Sequence, residues 1–585
     1  MQKKKMFLLP TLILSGCLIL LSGCADDGDD GADGLDGAGQ VITLSHLAST
    51  ASQAFDESAA EIVTFDASNQ NILTVNANSG QVDVFDAATL AALDGADPVQ
   101  NIDLAAMLVA DDKVADTTVV GAANSIAVYD DLAAIAVESA PKTDNGWVVF
   151  VNTETLDYVN AVEVGALPDM LIFTDDGAKV IVANEGEPNE GYTIDPEGSI
   201  SIINTFDYSI TTVGFTDFNA AESRNAELPT AKMILDGYNA TVAQSLEPEY
   251  IALGSDNTKA YVVLQENNAV AVIDLVNSQV DKIIGLGFKD HSIPGNELDP
   301  SQKDGVNIGN WPVMGIYMPD SIASFNHNGK DYLITANEGD SREDWLNPIV
   351  DQAGCETAGY FFSPEDEICV DEFSAKDYYD SDNVTLDSGL ETNGGFGEDD
   401  ELRRLKFSYF TTQLMNGGTD FEKLYAYGAR SFSIWDAETG IQVFDSGSDF
   451  ERITAQIYGE DFNNDNAENT GDDRSDNKGP EPEGVTVGII NGHTYAFIAL
   501  ERMGGIMVYD VSNPYAPTYV QYINNRDVSI DISEGYTAAV GDLGPEGLSF
   551  VAAEDSPNDH PLLIVGNEVS GTTTVYQIDV TLLQE

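Results

Sequence analysis

Basic residues are scarce in this sequence. Its 585 residues include 25 lysines and arginines against 99 aspartates and glutamates, which gives a formal net charge of −74. A surface this acidic repels nucleic acids and anionic membranes and attracts cations, so we expect no nucleic-acid partner. Adaptation to a saline exterior, where salt screens the self-repulsion, would explain much of this charge. It would not explain carboxylates that recur at fixed positions of a repeat.

Residue types and motifs that commonly carry catalysis are also scarce. The five histidines all lie away from the repeated carboxylates described below. The sequence contains no nucleophile elbow, no HExxH zinc motif and no phosphate-binding loop followed by a helix. We therefore expect no organic cofactor, and the sequence leaves open whether the protein is an enzyme.

Cysteine is rare, with four residues in the chain. Cys17 and Cys24 fall in the amino-terminal segment. Outside the cytoplasm, the remaining Cys355 and Cys369 are expected to form a disulfide. Zinc is disfavoured because no companion ligands occur at zinc-finger spacing.

The amino terminus has the pattern of a bacterial lipoprotein. Three lysines at positions 3–5 precede an apolar run over 6–21, and Ser22-Gly23-Cys24 follows. We predict a signal peptide over 1–23 and a lipid anchor on Cys24, which would attach the chain to a membrane.

The segment after the predicted anchor is rich in glycine and aspartate. Residues 24–40 have almost nothing to bury, so we interpret them as a flexible tether. Ala25, directly after the cysteine, is typical of lipoproteins sorted to the outer membrane. We therefore expect an outer-membrane lipoprotein, on its periplasmic or its cell-surface side.

Helical periodicity is scarce beyond the tether, and short alternating strands dominate. In residues 479–514, two strands flank Asn491-Gly492, a pair that favours a tight hairpin turn, and a third, aromatic-rich strand follows. Similar units begin near residues 61, 124, 168, 248, 319 and 545. Seven such units predict an all-β fold, a β-propeller with seven blades over 41–585. Acidic, irregular stretches at about 340–423 and 458–478 are predicted to be insertions.

Acidic residues occupy two positions of the repeat. One set lies at the start of the first strand: Asp169, Glu249, Asp320, Glu483 and Glu546. The other set ends the second strand: Glu138, Glu185, Glu266, Glu338, Glu501 and Glu568. An antiparallel hairpin brings its start and its end to one edge, so both sets should surround one mouth of the central channel.

So many carboxylates in one mouth need compensation. Arg342, Arg430 and Arg502 lie close in sequence and could neutralise a few. Hard oxygen ligands otherwise favour bound calcium or magnesium. The alternative is that the carboxylates bond backbone N–H groups between blades and hold no metal.

A second candidate metal site is the acidic stretch 461–472. Asp461, Asn463, Asp465 and Asp472 follow the spacing of a calcium-binding loop, although Asn466 stands where glycine is usual. A solvated acidic loop would have the same composition.

Several long motifs resemble the choice-of-anchor I family. They are ANEGDSRED, GARSFSIWD, RSDNKGPEPEGVTVG, ERMGGIMVYD and GNEVSGTTTVY. The resemblance covers nearly the whole chain after the tether and implies a propeller attached to the cell envelope. The family includes mesenchyme-specific cell-surface glycoproteins, and some relatives are labelled alkaline phosphatase-like. The resemblance supplies no catalytic residue set.

Two functions are consistent with these patterns. The first is a calcium-loaded surface propeller that binds an extracellular ligand or matrix. The second is a metal-dependent phosphoesterase, alkaline phosphatase-like or phytase-like, in which Arg342 or Arg502 would bind the phosphate oxygens.

Overall fold

Four-stranded antiparallel sheets are the main elements of the fold. The computed structural model describes residues 39–189, 191–237, 239–342, 346, 349, 352–363, 367–376, 385–532 and 535–583. Within these ranges, a four-stranded sheet forms at each of the seven repeat positions. We number the sheets 1 to 7 by the chain order of their first strands, and count strands from the first to the fourth across each sheet. The predicted signal peptide and Cys24 lie outside the described residues.

The strands are short, and in sheets 1 to 4 and in sheet 6 all four strands follow one another along the chain. In sheet 5 smaller elements separate the second strand from the third. Sheet 1 consists of Val63–Asp66, Asn71–Asn76, Gln81–Asp86 and Gln100–Asp103, and sheet 2 of Val120–Tyr129, Leu132–Ser139, Asn145–Asn152 and Tyr158–Ala166. Sheet 3 consists of Pro168–Phe173, Lys179–Asn184, Ser199–Asn204 and Ile210–Gly214, and sheet 4 of Ile251–Leu253, Lys259–Leu264, Ala269–Asp274 and Gln279–Gly285. Sheet 5 consists of Ile322–His327, Lys330–Asn337, Ser431–Asp436 and Gln442–Asp445. Sheet 6 consists of Pro482–Ile490, His493–Leu500, Ile506–Asp510 and Thr518–Ile523. Sheet 7 consists of Pro545–Val551, Leu562–Asn567, Thr572–Leu582 and Gln40–Ser49.

The hairpin turns follow from local sequence. Asn491 and Gly492 have φ of 51° and 83°, and Asn328 and Gly329 have φ of 54° and 74°. Both positions of a type I′ turn need positive φ, which asparagine and glycine adopt at low cost. The Asn-Gly pairs therefore fix the register of the hairpins in sheets 5 and 6.

The first strands pack against one another around an axis. Each first strand contacts that of the next sheet, and the first strand of sheet 7 contacts that of sheet 1. The approach is close: a Cβ on Gly484 would lie 1.9 Å from the carbonyl oxygen of Glu546. Glycine at this position lets sheets 6 and 7 meet at the axis.

The hydrophobic core lies between the sheets. Apolar residues of the second and third strands are almost fully buried and interleave with those of the adjacent sheet, as Val75 of sheet 1 does with Ile135 of sheet 2. Phe497 of sheet 6 stacks on Phe550 of sheet 7 with ring centroids 5.9 Å apart. Burial of such side chains stabilises the fold by roughly 1.5–3 kcal/mol each.

Sheet 7 joins the two ends of the described chain. Its fourth strand, Gln40–Ser49, runs antiparallel to Thr572–Leu582, with Gln40 opposite Leu582 and a bulge between His46 and Ala48. Ile42 and Leu44 of this strand are buried against sheets 6 and 7.

Smaller elements occupy the long connections of sheets 4 to 6. They comprise a three-stranded sheet of Phe288–Asp290, Val313–Ile316 and Leu424–Tyr427, and two-stranded pairs of Phe361–Ser363 with Ile368–Val370, Glu372–Ser374 with Lys406–Ser408, and Thr385–Leu386 with Asp420–Phe421. The described α-helices are Leu104–Ala110, Val242–Ser245, Gln352–Ala358, Ser388–Gly394, Tyr409–Asn416 and Asp449–Tyr458. The described 3₁₀ turns are Leu90–Ala92, Thr117–Val119, Thr216–Phe218, Asn225–Glu227 and Gly459–Asp461.

A disulfide lies in the connection between the second and third strands of sheet 5. It joins Cys355, in the helix Gln352–Ala358, to Cys369, in the strand Ile368–Val370. Both sulfurs belong to a small apolar cluster with Leu346 and Tyr360. Among the helices that the structure describes, none has the length and apolar character needed to cross a membrane.

Candidate functional site

The two sets of carboxylates lie together at one end of the axis. Pro168 is opposite Asn184, Pro482 opposite Leu500, and Pro545 opposite Asn567, so the start of each first strand meets the end of its second strand. We call the carboxylates at these positions the acidic mouth: Glu61, Asp169, Glu249, Asp320, Glu483 and Glu546, with Glu138, Glu185, Glu266, Glu338, Glu501 and Glu568.

Burial and mutual repulsion disfavour ionisation in the mouth. Burial, followed by neighbouring carboxylates, raises the pKa of Glu61 to about 8 and that of Asp169 to about 7. Burial also raises the pKa values of Glu338 and Glu501 to about 7, although Lys478 and Arg502 oppose the shifts. The same combination of burial and nearby carboxylates raises the pKa values of Glu185, Glu249, Asp320, Glu483 and Glu546.

One arginine neutralises part of the mouth beside sheet 4. The side chain of Arg342 is 4% exposed, and its Nη1 donates to Asp236 at 2.8 Å. Its Nη2 donates to Glu247 and lies 3.7 Å from Oε2 of Glu266. Arg342, predicted from sequence as a phosphate-binding residue, is thus engaged with carboxylates of its own chain.

Three cations surround a single buried carboxylate beside sheet 6. Glu481 is fully buried, and Arg474 lies 2.7 Å away, Lys478 3.3 Å and Arg502 3.4 Å. Arg502 also lies 3.0 Å from Glu501 and donates to the side chain of Asn466 at 2.9 Å. Arg502, the other predicted phosphate-binding residue, is therefore also engaged.

Some mouth carboxylates accept hydrogen bonds from ordinary donors. The backbone nitrogen of Ala122 donates to Glu138 at 3.1 Å, and the hydroxyl of Ser58 donates to Glu568 at 2.6 Å. Glu138 thus bonds a backbone N–H group of its own sheet, whereas the metal-free alternative describes bonds between blades.

Other carboxylates in the mouth have oxygens without a donor. Oε2 atoms of Glu249, Glu266, Glu483 and Glu546 are buried and have no hydrogen-bond partner among the described residues. Glu249 and Glu266 are 8% and 6% exposed, and burial, followed by the neighbouring Glu266 and Glu185, raises the pKa of Glu249. A buried, ionised oxygen without a partner is costly, so these atoms need a proton or a cation.

The oxygens converge in three groups whose atoms lie within 4.8 Å of one another. The groups are Glu185, Glu247 and Glu266; Asp320, Glu338 and Glu483; and Glu338, Glu481 and Glu501. Lys478, Arg474 and Arg502 already occupy the third group. Arg342 contacts Glu247 and Glu266 of the first group, and Lys478 contacts Glu338 of the second. The first two groups keep oxygens that no cationic side chain of the described chain reaches: those of Glu185 in the first and of Asp320 and Glu483 in the second.

The side chains of the predicted calcium-binding loop, residues 461–472, bond to separate partners. Asp465 caps its own turn by accepting from Ala467 and Glu468, and Asn463 donates to Glu451 and Ser475. Asp472 accepts from the backbone of Gly305 and from Ser475, and Asp461 is exposed. Among the described residues, Asp461, Asn463, Asp465 and Asp472 do not converge on a common point, because their side chains bond to separate parts of the fold.

Several site residues were not predicted from sequence. Glu247 and Glu481 each lie two residues before a predicted carboxylate, in the sequences Glu-Pro-Glu, and Glu187 and Asp340 each follow one in Glu-Gly-acid. These doubled motifs are the signal that could have identified them. Lys142 forms an ion pair with Glu187, 45 residues farther along the chain, so no local signal could have identified it. Arg474 and Lys478 carry no comparable signal either, because a turn separates them from Glu481.

The mouth opens onto the central channel. A cavity of about 270 Å³ is lined by Glu61, Asp169, Asp320 and Glu546, with Tyr250 among its walls. Tyr250 also lines a second cavity of about 520 Å³, farther along the first strands, whose walls are largely apolar. The channel thus changes from acidic to apolar on passing Tyr250.

Sheets arranged around an axis, with a site at one end of it, define a β-propeller protein. The Choice-of-anchor I domain model matches residues 61–514. The chain therefore belongs to the choice-of-anchor I family.

Two curated proteins are similar over part of the chain. Gigasin-3a of Magallana gigas is 29% identical over 185 residues, covering 30% of this chain and 64% of its own. The mesenchyme-specific cell surface glycoprotein of Strongylocentrotus purpuratus is 26% identical over 357 residues, covering 56% of this chain and 44% of its own. The chain thus spans less than two thirds of the length of either relative.

Solved structures align over most of the chain with low scores. Hydrazine synthase of Kuenenia stuttgartiensis aligns over 89% of this chain and 96% of its own, with a TM-score of 0.43 and 12% identity. The β-propeller domain of Cps50 (Swd1) from Myceliophteria thermophila aligns over 90% and 98%, with a TM-score of 0.38 and 7% identity.

Proposed function

We propose that the protein is a seven-bladed, envelope-anchored surface propeller that binds calcium in its acidic mouth and presents that mouth to an extracellular ligand or matrix. The observation that carries this proposal is the set of buried carboxylate oxygens without a donor, above all Oε2 of Glu483, which belongs to one of the converging groups. The seven sheets and the contacts between consecutive first strands support the blade number.

The first two oxygen groups are the proposed metal ligands. Glu185, Glu247 and Glu266 would hold one ion, and Asp320, Glu338 and Glu483 a second. The ligand atoms are carboxylate oxygens without imidazole or thiolate, a set that suits calcium or magnesium. A bound divalent ion would replace the protons that these groups otherwise need at neutral pH.

The proposed location is the cell surface. The lysines at 3–5, the apolar run over 6–21 and Cys24 support a lipid anchor, and Ala25 supports the outer membrane. One relative is named a cell surface glycoprotein, which supports the same location.

The contacts of the arginines beside the mouth speak against the phosphoesterase alternative. It requires cationic groups that can bind phosphate oxygens in the mouth. Arg342 and Arg502 instead bind Asp236, Glu247, Glu481 and other polar groups of the chain. An incoming anion would also meet the excess of carboxylates around them.

The test is the metal content of the purified mature chain, followed by calcium titration of its thermal midpoint. We expect stoichiometric calcium and a higher midpoint, since free calcium at 100 times Kd stabilises a single-site protein by about 2.7 kcal/mol. Glu185→Gln and Glu483→Gln should each reduce the rise of the thermal midpoint that calcium causes. Glu154→Gln, on an exposed turn of sheet 2, is the matched control and should leave it unchanged.

The proposal fails if the protein contains no metal and calcium leaves the midpoint unchanged. An equal response in Glu185→Gln, Glu483→Gln and Glu154→Gln would show that calcium binds elsewhere.

A further inference from the structure

The end of the propeller opposite the acidic mouth is where the chain enters the fold. The third strand of sheet 7 begins with Thr572 opposite Asn567, at the mouth, and ends with Leu582 opposite Gln40. Ten residues of strand separate Thr572 from Leu582, a distance of roughly 33 Å at 3.3 Å per residue. Gln40 therefore lies at the other end of the axis, on a surface that we call the far face.

Hydrogen bonds hold this entry point in place. The side chain of Gln40 donates to the carbonyl of Ile490 at 2.8 Å and to the hydroxyl of Tyr495 at 3.1 Å. Asn491, in the hairpin turn of sheet 6, donates to Gln40 at 3.0 Å. Whatever precedes residue 39 thus leaves the propeller from the far face.

The far face also exposes apolar side chains at equivalent positions. The turn between the third and fourth strands presents Phe206 in sheet 3, Val276 in sheet 4, Ile441 in sheet 5 and Tyr515 in sheet 6, which are 95%, 71%, 63% and 58% exposed. Sheet 7 has no such turn, because its fourth strand is Gln40–Ser49, but Leu582, 60% exposed, ends its third strand on the same face. Single exposed apolar residues need no explanation. Their recurrence at one turn of four consecutive sheets does.

The sequence ahead of the far face indicates what covers it. Residues 24–39 form a short glycine- and aspartate-rich segment, and an apolar run over 6–21 and Cys24 precede it. A tether of this length and composition would have a root-mean-square span of about 20 Å. An anchor at Cys24 would therefore hold the far face close to a bilayer.

We propose that the far face rests on the lipid bilayer, through Phe206 and the equivalent turn residues, and that the acidic mouth points away from the membrane. This inference rests on the lipid anchor of the proposed function. The bilayer would then cover the exposed turn residues, and the mouth would be the surface that an extracellular ligand meets first.

The test places a fluorophore on each end of the propeller in the full mature lipoprotein. Phe206→Cys labels the far face, and Ile194→Cys, on the loop between the second and third strands of sheet 3 and 52% exposed, is the matched control at the mouth. Cys355 and Cys369 are joined in a disulfide, so the introduced thiol is labelled selectively. The protein is reconstituted on phosphatidylcholine vesicles that contain a spin-labelled quencher lipid.

We expect the fluorophore at 206 to be quenched several-fold more strongly than the one at 194. Equal quenching, stronger quenching at 194, or no quenching of either label on a vesicle-bound protein would overturn the proposed orientation while leaving the anchor intact. A chain that does not co-float with the vesicles would overturn the anchor, and this inference with it.

Discussion

The ammonium nitrogen of Lys478 lies 3.3 Å from Oε2 of Glu481 and also donates to Glu338. Although burial opposes ionisation, Lys478, Arg474 and Arg502 hold the pKa of Glu481 at about 2. Glu481, two residues before the mouth carboxylate Glu483, thus stays charged and holds three cations in place.

We predict that Glu481→Gln destabilises the protein strongly. The substitution leaves buried cations without their shared partner, a change that costs about 3–5 kcal/mol in comparable buried pairs. Urea unfolding followed by fluorescence measures the effect. The exposed Glu154→Gln should change the free energy of unfolding by less than about 0.5 kcal/mol. Equal effects of the two substitutions would contradict the role assigned to Glu481.

The metal-free protein should lose stability as the pH rises toward 8. The pKa values of Glu61 and Asp169 are raised in the folded state to about 8 and about 7, from ordinary values of 4.5 and 3.8. Between these limits the folded state binds more protons than the unfolded state, so the free energy of unfolding falls with increasing pH. Thermal midpoints in chelator from pH 5 to pH 8 measure this slope. Glu61→Gln should make it shallower, and an unchanged slope would contradict the assignment.

Removing one buried side chain from the amino-terminal strand should weaken the whole fold. Leu44 is 2% exposed and packs between sheets 6 and 7, so Leu44→Ala should cost about 2–5 kcal/mol. Val41→Ala, in the same strand but 46% exposed, is the matched control and should cost far less. Denaturant midpoints compare the two. A similar, small loss in both would mean that closure of sheet 7 adds little to stability.

Loss of the disulfide should act locally. Cys355 and Cys369 are 14 residues apart, and a cross-link closing such a loop stabilises by about 3 kcal/mol in the chain-entropy estimate. Replacing both cysteines by serine should increase proteolysis between residues 340 and 423. The calcium response of the mouth should stay unchanged, because none of the proposed ligands lies in that segment. A lost calcium response would show that the two regions are coupled.

The repeated hairpins could be predicted because their signals are local. Asn491-Gly492 fixes a turn, and the alternation of apolar residues on either side fixes two strands and the faces they bury. The placement of Glu483 near Glu501 then follows from antiparallel pairing alone. Local sequence thus accounts for the sheets and for most of the acidic mouth.

The parts that could not be predicted depend on contacts between distant residues. Nothing in the sequence of Gln40–Ser49 identifies Thr572–Leu582 as its partner, and nothing near Val313–Ile316 identifies Leu424–Tyr427. The positions of the cations beside the mouth also depend on contacts between distant residues. Lys478 reaches Glu338 across 140 residues, and that pairing changes which carboxylates remain available for a metal.

The pairing of Gln40–Ser49 with Thr572–Leu582 has a consequence for folding. Among the strands of the seven sheets, the fourth strand of sheet 7 comes first along the chain, and the strand that pairs with it comes last. The ring therefore cannot close until Thr572–Leu582 has been synthesised and is free to pair. During that interval Ile42 and Leu44 belong to an unpaired, apolar edge, which is a site for aggregation. Closing a loop of this length is also slow, so the last step of folding depends on keeping the first strand accessible.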